Sequence, residues 1–247
     1  MKKIGWQIRL AFLLVLSTAL LYLLHYVIFR DAYHIFLYSL GDLAFLPVEV
    51  LLVTLVIHGL LTQREKRIML NKMNMVIGAF FSEVGATLIK QIISFDTSPE
   101  EIKSKLLVNS SWSERVFRNA NRIAKMYDGN IDSRRGNLTE LQAFLLTRRN
   151  FMLRLLENPN LLEHETFTEL LWSVFHLTEE LVSRKDLKQL PEADYNHLSG
   201  DIKRAYILLL CEWLAYMQHL QTSYPYLFSL AVRTNPFDPQ ARVEIQN

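Results

Sequence analysis

The fold turns on residues 10–29, LAFLLVLSTALLYLLHYVIF, a run with no Asp, Glu, Lys or Arg. As a helix it rises about 30 Å, the thickness of the hydrocarbon core of a bilayer. A second run of similar length, residues 43–61 (LAFLPVEVLLVTLVIHGLL), is interrupted by Pro47, Glu49 and His58. Helices and closed barrels alone satisfy their backbone polar groups in lipid, and runs this long and apolar are not barrel strands. The pair therefore predicts two transmembrane helices, at about 8–29 and 42–62, joined by a short connection over 30–42. Residues 1–62 read as a transmembrane hairpin.

Flanking charge predicts its orientation. Lys2, Lys3 and Arg9 precede the first run, Arg64, Lys66, Arg67 and Lys72 follow the second, and the connection holds only Arg30, offset by Asp31. The positive-inside rule then puts both termini in the cytoplasm, which makes this a multi-pass protein of the cell membrane. Trp6 at one side, with Tyr26, Tyr33 and Tyr38 near the other, suits an interfacial aromatic belt. Met1-Lys2-Lys3 resembles the start of a signal peptide, but the apolar run exceeds the usual length and no convincing small-x-small cleavage site interrupts it before Phe29.

Beyond the hairpin, residues 63–235 read as an all-α cytoplasmic domain, a helical bundle, with 236–247 as an extended tail. Residues 73–93 carry only Glu83 and Lys90 as charges. A third span there would put Glu83 near mid-bilayer at a cost of a few kcal/mol, so a buried core helix is expected. Gly78, Ser82 and Ala86 recur at four-residue spacing and would admit a close helix neighbour.

Ser98-Pro99-Glu100-Glu101 and Ser111-Trp112-Ser113-Glu114 read as helix starts. Residues 128–137, with two glycines, are the best loop. Leu138, Leu141, Leu145, Met152 and Leu155 trace one helical face, and Phe167, Leu170, Leu171, Val174, Thr178, Leu181 and Val182 another. Residues 205–217 are apolar nearly all round, as the central helix of a bundle would be. No alternating strand pattern, repeat or low-complexity linker occurs.

Composition excludes more than it assigns. A net charge of +2 over 247 residues gives no warrant for nucleic-acid binding, and the single cysteine, Cys211, forbids an intrachain disulfide. Phosphate-cradling glycine loops, HExxH and paired Glu-x-x-His steps are all absent. Glu163-His164-Glu165 is a poor ligand set, because adjacent helical residues point apart. His176 and Glu179 share a face and read as a local hydrogen bond. Cys211 reads as a small core residue and Glu212 as emerging at the bundle surface. The pairs Arg134-Arg135 and Arg148-Arg149 read as solvated charge, whereas Arg64, Lys66 and Arg67 have the better claim on lipid headgroups. No catalytic residue, metal or cofactor is expected, and the chain is not read as an enzyme, although lipid-directed membrane enzymes can lack motifs.

Glu49 is the most informative residue, since an ionisable group within a span tends to face a partner or water. Placed level with Tyr22 and His25, it would pair with one of them across the hairpin or at an oligomer interface. The reading that follows is a membrane-anchored helical interaction or scaffold module that self-associates as a homo-oligomer and binds a cytoplasmic protein. The alternative is an oligomeric channel or transport component with the second membrane helix lining the path.

Overall fold

The computed structural model describes residues 2–162 and 164–244, without the side chains of residues 2–4, 7, 66–68, 70, 71, 160 and 162. Every element among the described residues is helical, apart from an isolated bridge between Asp96 and Ile131. The chain forms two units, Met1–Lys66 and Arg67–Asn247.

In the first unit, α1 (Lys2–Phe29) is followed almost at once by α2 (Ala32–Phe80). Two residues make the turn. Arg30 takes a left-handed conformation, φ 51°, and its N–H donates to the Tyr26 carbonyl at 2.8 Å, closing α1. Asp31 then caps α2 by accepting from the His34 N–H at 3.1 Å.

The second helix therefore starts at Ala32, inside the connection predicted over 30–42. Tyr33, His34 and Tyr38 are helical, because the local caps at Arg30 and Asp31 complete the reversal and no helix breaker follows until Gly41. Ser39 donates to the Tyr22 hydroxyl at 3.3 Å, and the rings of His25 and His34 stack with centroids 5.9 Å apart. These contacts set the register of the hairpin.

Both apolar segments, Ile8–Phe29 and Ala32–Glu65, are long and apolar enough to cross a membrane, and none of their residues is buried among the described residues. Leu13, Leu20, Val53 and Leu60 are each more than half exposed.

The second unit is a bundle of short and long helices around α9 (Glu192–Ser223), a 32-residue helix. The distal part of α2 passes through a π turn, Phe81–Gly85, into α3 (Ala86–Ile93). The widened turn inserts a residue into the helical register. Neighbouring pairs are consequently both buried: Phe80 with Phe81, Val84 with Gly85, Leu88 with Ile89. Phe81 stacks on Tyr216 of α9 and Phe80 meets Phe167 edge-on, each at 5.2 Å. Lys72–Ile93 has the length and composition of a span, but its inward face is filled by the bundle.

The predicted small-residue stripe is thereby rearranged. Gly78 lets Tyr216 approach to 3.2 Å of where a Cβ would stand, but Ser82 is exposed and Ala86 only half-buried. Gly85, one position off the stripe, is the tight one, since a Cβ there would lie 2.4 Å from the Phe81 ring.

The remaining helices are α4 (Pro99–Lys105), α5 (Glu114–Lys125), α6 (Leu138–Leu156), α7 (Pro159–Leu162), α8 (Glu165–Ser183) and α10 (Pro225–Arg233). Helix α4 begins where the sequence placed it, whereas α5 begins at Glu114 with Ser113 and not Ser111 at its N-cap; neither Ser98 nor Ser113 caps through its side chain. Asn137 does cap α6, accepting from the Glu140 N–H at 3.1 Å. Helix α9 packs against α3, α5, α8 and α10, and α8 also packs against α6. The predicted faces of α6 and α8 point inward, except that Val182 is exposed.

The segment read as an extended tail from residue 236 begins inside the bundle. Phe237 is 1 % exposed, edge-on to Trp213 at 5.1 Å. Buried Asn235 locks it by donating to the Leu106 carbonyl and accepting from the Phe237 N–H.

Candidate functional site

Helices α8 and α9 form a hairpin around the loop 184–191, and near that turn each offers two ligand-type side chains one helical turn apart. His176 and Glu180 stand on α8, His197 and Asp201 on α9. An i, i+4 spacing puts both members of a pair on one face. The packing of α8 on α9 turns the two faces together, so that one donor atom from each residue lies within 4.8 Å of the others.

The distances are specific. Asp201 Oδ2 lies 3.4 Å from His176 Nε2 and 3.3 Å from His197 Nε2. Glu180 Oε2 lies 3.4 Å from His197 Nε2, and Glu180 Oε1 lies 3.9 Å from His176 Nε2. Arginines hold the carboxylates from behind. Arg184 donates to Glu180 Oε2 at 2.8 Å and to Asp194 Oδ1 at 3.1 Å, and Arg204 donates to Asp201 Oδ1 at 3.1 Å. The Arg184 hydrogen bond holds the Glu180 carboxyl below its usual range.

Asp201 is buried, and its Oδ2 has no hydrogen-bond partner among the described residues. The two imidazoles are about half exposed, so the cluster has a dry floor and a wet rim.

The Glu-x-x-His search misses this set because both donor pairs are spaced four residues apart. His-x-x-x-Glu at 176–180 and His-x-x-x-Asp at 197–201 were the legible signal. The expected His176–Glu179 hydrogen bond is not formed. Glu179 instead pairs with Arg149 at 3.1 Å.

Other expected sites resolve differently. Glu163 lies outside the described residues, while His164 caps α8 by accepting from the Phe167 N–H at 3.2 Å. Cys211 is half-buried, and burial pushes its thiol up to about 11, which disfavours a nucleophilic role.

Glu212 is corrected from surface to interior. It is 5 % exposed, and burial raises its pKa against a hydrogen bond from Thr166 and the nearby His164 and Lys125. The arginine pairs are engaged within the protein. Arg134 meets Asp132 and Glu192, Arg135 the Thr97 carbonyl, Arg148 Glu83, and Arg149 Glu179.

In the hairpin, Thr18, Tyr22, His25, His34, Tyr38 and Asp42 line a groove of about 460 Å³. Glu49 is not brought to Tyr22 or His25. It lies ten residues beyond Ser39, about 15 Å further along the helix, because α2 starts earlier than predicted. It is exposed and makes no hydrogen bond or ion pair among the described residues. Arg64 is exposed, and the side chains of Lys66 and Arg67 lie outside the described set.

Comparison with known proteins finds both regions in one family. The C-terminal helical domain of uncharacterized protein MJ1433 matches residues 69–233, and the MJ1433 N-terminal helical domain matches residues 2–61. The uncharacterized protein MJ1433 of Methanocaldococcus jannaschii is 44 % identical over 233 residues, covering 94 % of each chain. No solved structure matches. The chain therefore belongs to the MJ1433 family, across both of its helical domains.

Proposed function

We propose that this protein is a membrane-anchored helical module, with the α1–α2 hairpin in the bilayer and the bundle presented to the cytoplasm. One observation carries the reading. Two apolar helical segments, Ile8–Phe29 and Ala32–Glu65, have no buried residue and leave most of their apolar side chains exposed. Exposed apolar area on that scale is costly in water and favourable in lipid. The charge asymmetry of the flanks supports cytoplasmic termini. Glu49, exposed and unpartnered within one copy, supports contact between copies, where a carboxylate among apolar side chains would gain a partner. Trp172, 62 % exposed on α8, is a side chain of the kind that anchors protein partners.

The test is extraction of native membranes with alkaline carbonate. The full chain is expected to stay with the bilayer, and its release into the supernatant would refute the anchor. An impermeant thiol reagent should label Tyr33→Cys from outside intact cells; labelling only after lysis would reverse the topology. Native mass measurement in nanodiscs should show an oligomer that Glu49→Gln weakens. A monomer at all concentrations would remove self-association from the proposal.

A further inference from the structure

We propose that His176, Glu180, His197 and Asp201 hold one divalent transition-metal ion of the zinc class, which ties α8 to α9 beside their connecting turn. Four ligands at about 2.0–2.1 Å from a tetrahedral zinc stand roughly 3.3–3.4 Å from one another. With Glu180 Oε2 as donor, three of the separations here are 3.3, 3.4 and 3.4 Å; Glu180 Oε1 lies 3.9 Å from His176 Nε2, and one donor atom from each residue lies within 4.8 Å of the others. An octahedral magnesium or calcium site would use oxygen donors almost alone. Two imidazole nitrogens with two carboxylates match zinc, cobalt, nickel or ferrous iron.

Asp201 supplies the second, independent observation. Its Oδ2 is buried between two ring nitrogens and accepts no hydrogen bond, while its Oδ1 is held by Arg204. A buried carboxylate oxygen that two ring nitrogens face without donating a hydrogen bond to it would gain its missing partner from a cation at the centre. Arg184 and Arg204 are the supporting shell that metal sites use to orient their ligands. The half-exposed imidazoles supply a path for the ion from solvent. Glu179 and Asp194 point to other partners, Arg149 and Arg184, and are outside the ligand set.

The experiment uses the full-length protein in detergent, without a polyhistidine tag, stripped by chelator and titrated with Co2+ alone. Visible d–d bands of tetrahedral intensity should saturate at one equivalent per chain, and Zn2+ should bleach them. His176→Gln and His197→Gln change half-exposed rings and should leave the helicity intact. Each should weaken binding by a hundredfold or more, whereas Glu179→Gln should leave it unchanged. Chelation should lower the Tm of the wild-type bundle by about 5 °C or more and leave that of the double His variant unmoved. Absence of the bands overturns the proposal, as does binding that survives in the double variant. A cluster neutralised by protons on the imidazoles would show no cobalt spectrum and a Tm indifferent to chelator, which also overturns it.

Discussion

Glu212 was read at the surface of its helix, and the bundle instead encloses it at 5 % exposure. Burial favours its neutral form, so between the ordinary value of 4.5 and its raised native value the folded state binds more protons than the unfolded one. Stability must then fall as pH climbs through that window and stay lower above it. Glu212→Gln keeps the acceptor for Thr166 and removes the penalty. Denaturant titrations should show the variant gaining on the wild type above the window, with the gap closing below pH 4.5. Coincident profiles would contradict this. Cys211 is one residue away and shares the dry setting. With its pKa near 11 instead of 9.0, it should carry roughly a hundredfold less thiolate at pH 8. Iodoacetamide should label the native protein slower than the denatured chain by about that factor.

Within elements, what surrounds a glycine decides the effect of replacing it. Gly85 ends the π turn, where a Cβ would lie 2.4 Å from the Phe81 ring and 3.1 Å from that of Phe80. Phe81 is pinned against Tyr216 and has little room to move. Gly85→Ala should cost about 1–3 kcal/mol by overpacking. Gly200 in α9 has nothing within 4 Å of its would-be Cβ, so Gly200→Ala should gain about 0.5–1 kcal/mol in the same urea titration. A cost at Gly200 or neutrality at Gly85 would show that these surroundings are wrong. The hairpin turn teaches a related point. Its reversal takes a left-handed arginine and an aspartate cap, neither of which announces a turn as Gly or Pro would.

Across the whole bundle, the last residues close the core over Trp213. Phe237 is 1 % exposed and Asn235 bonds back to Leu106, far away in sequence. Phe237→Ala should cost about 3–5 kcal/mol, as full aromatic truncations in cores do. Thermal unfolding of the full-length protein would show it. A loss below about 1 kcal/mol would show that the Phe237 ring does not close the core.

The sequence by itself determined the helical class, the two apolar runs suited to lipid, and the inward faces of α6 and α8. Each follows from hydrophobic length or period along a single segment, which neighbours in sequence suffice to express. Tertiary structure alone decided that His176 and Glu180 meet His197 and Asp201, that Glu212 and Phe237 are buried, and that Ser39 stands beside Tyr22. These outcomes depend on which faces of separate helices come together and in what register. That register is set by packing over the whole bundle or hairpin, and no local pattern carries it.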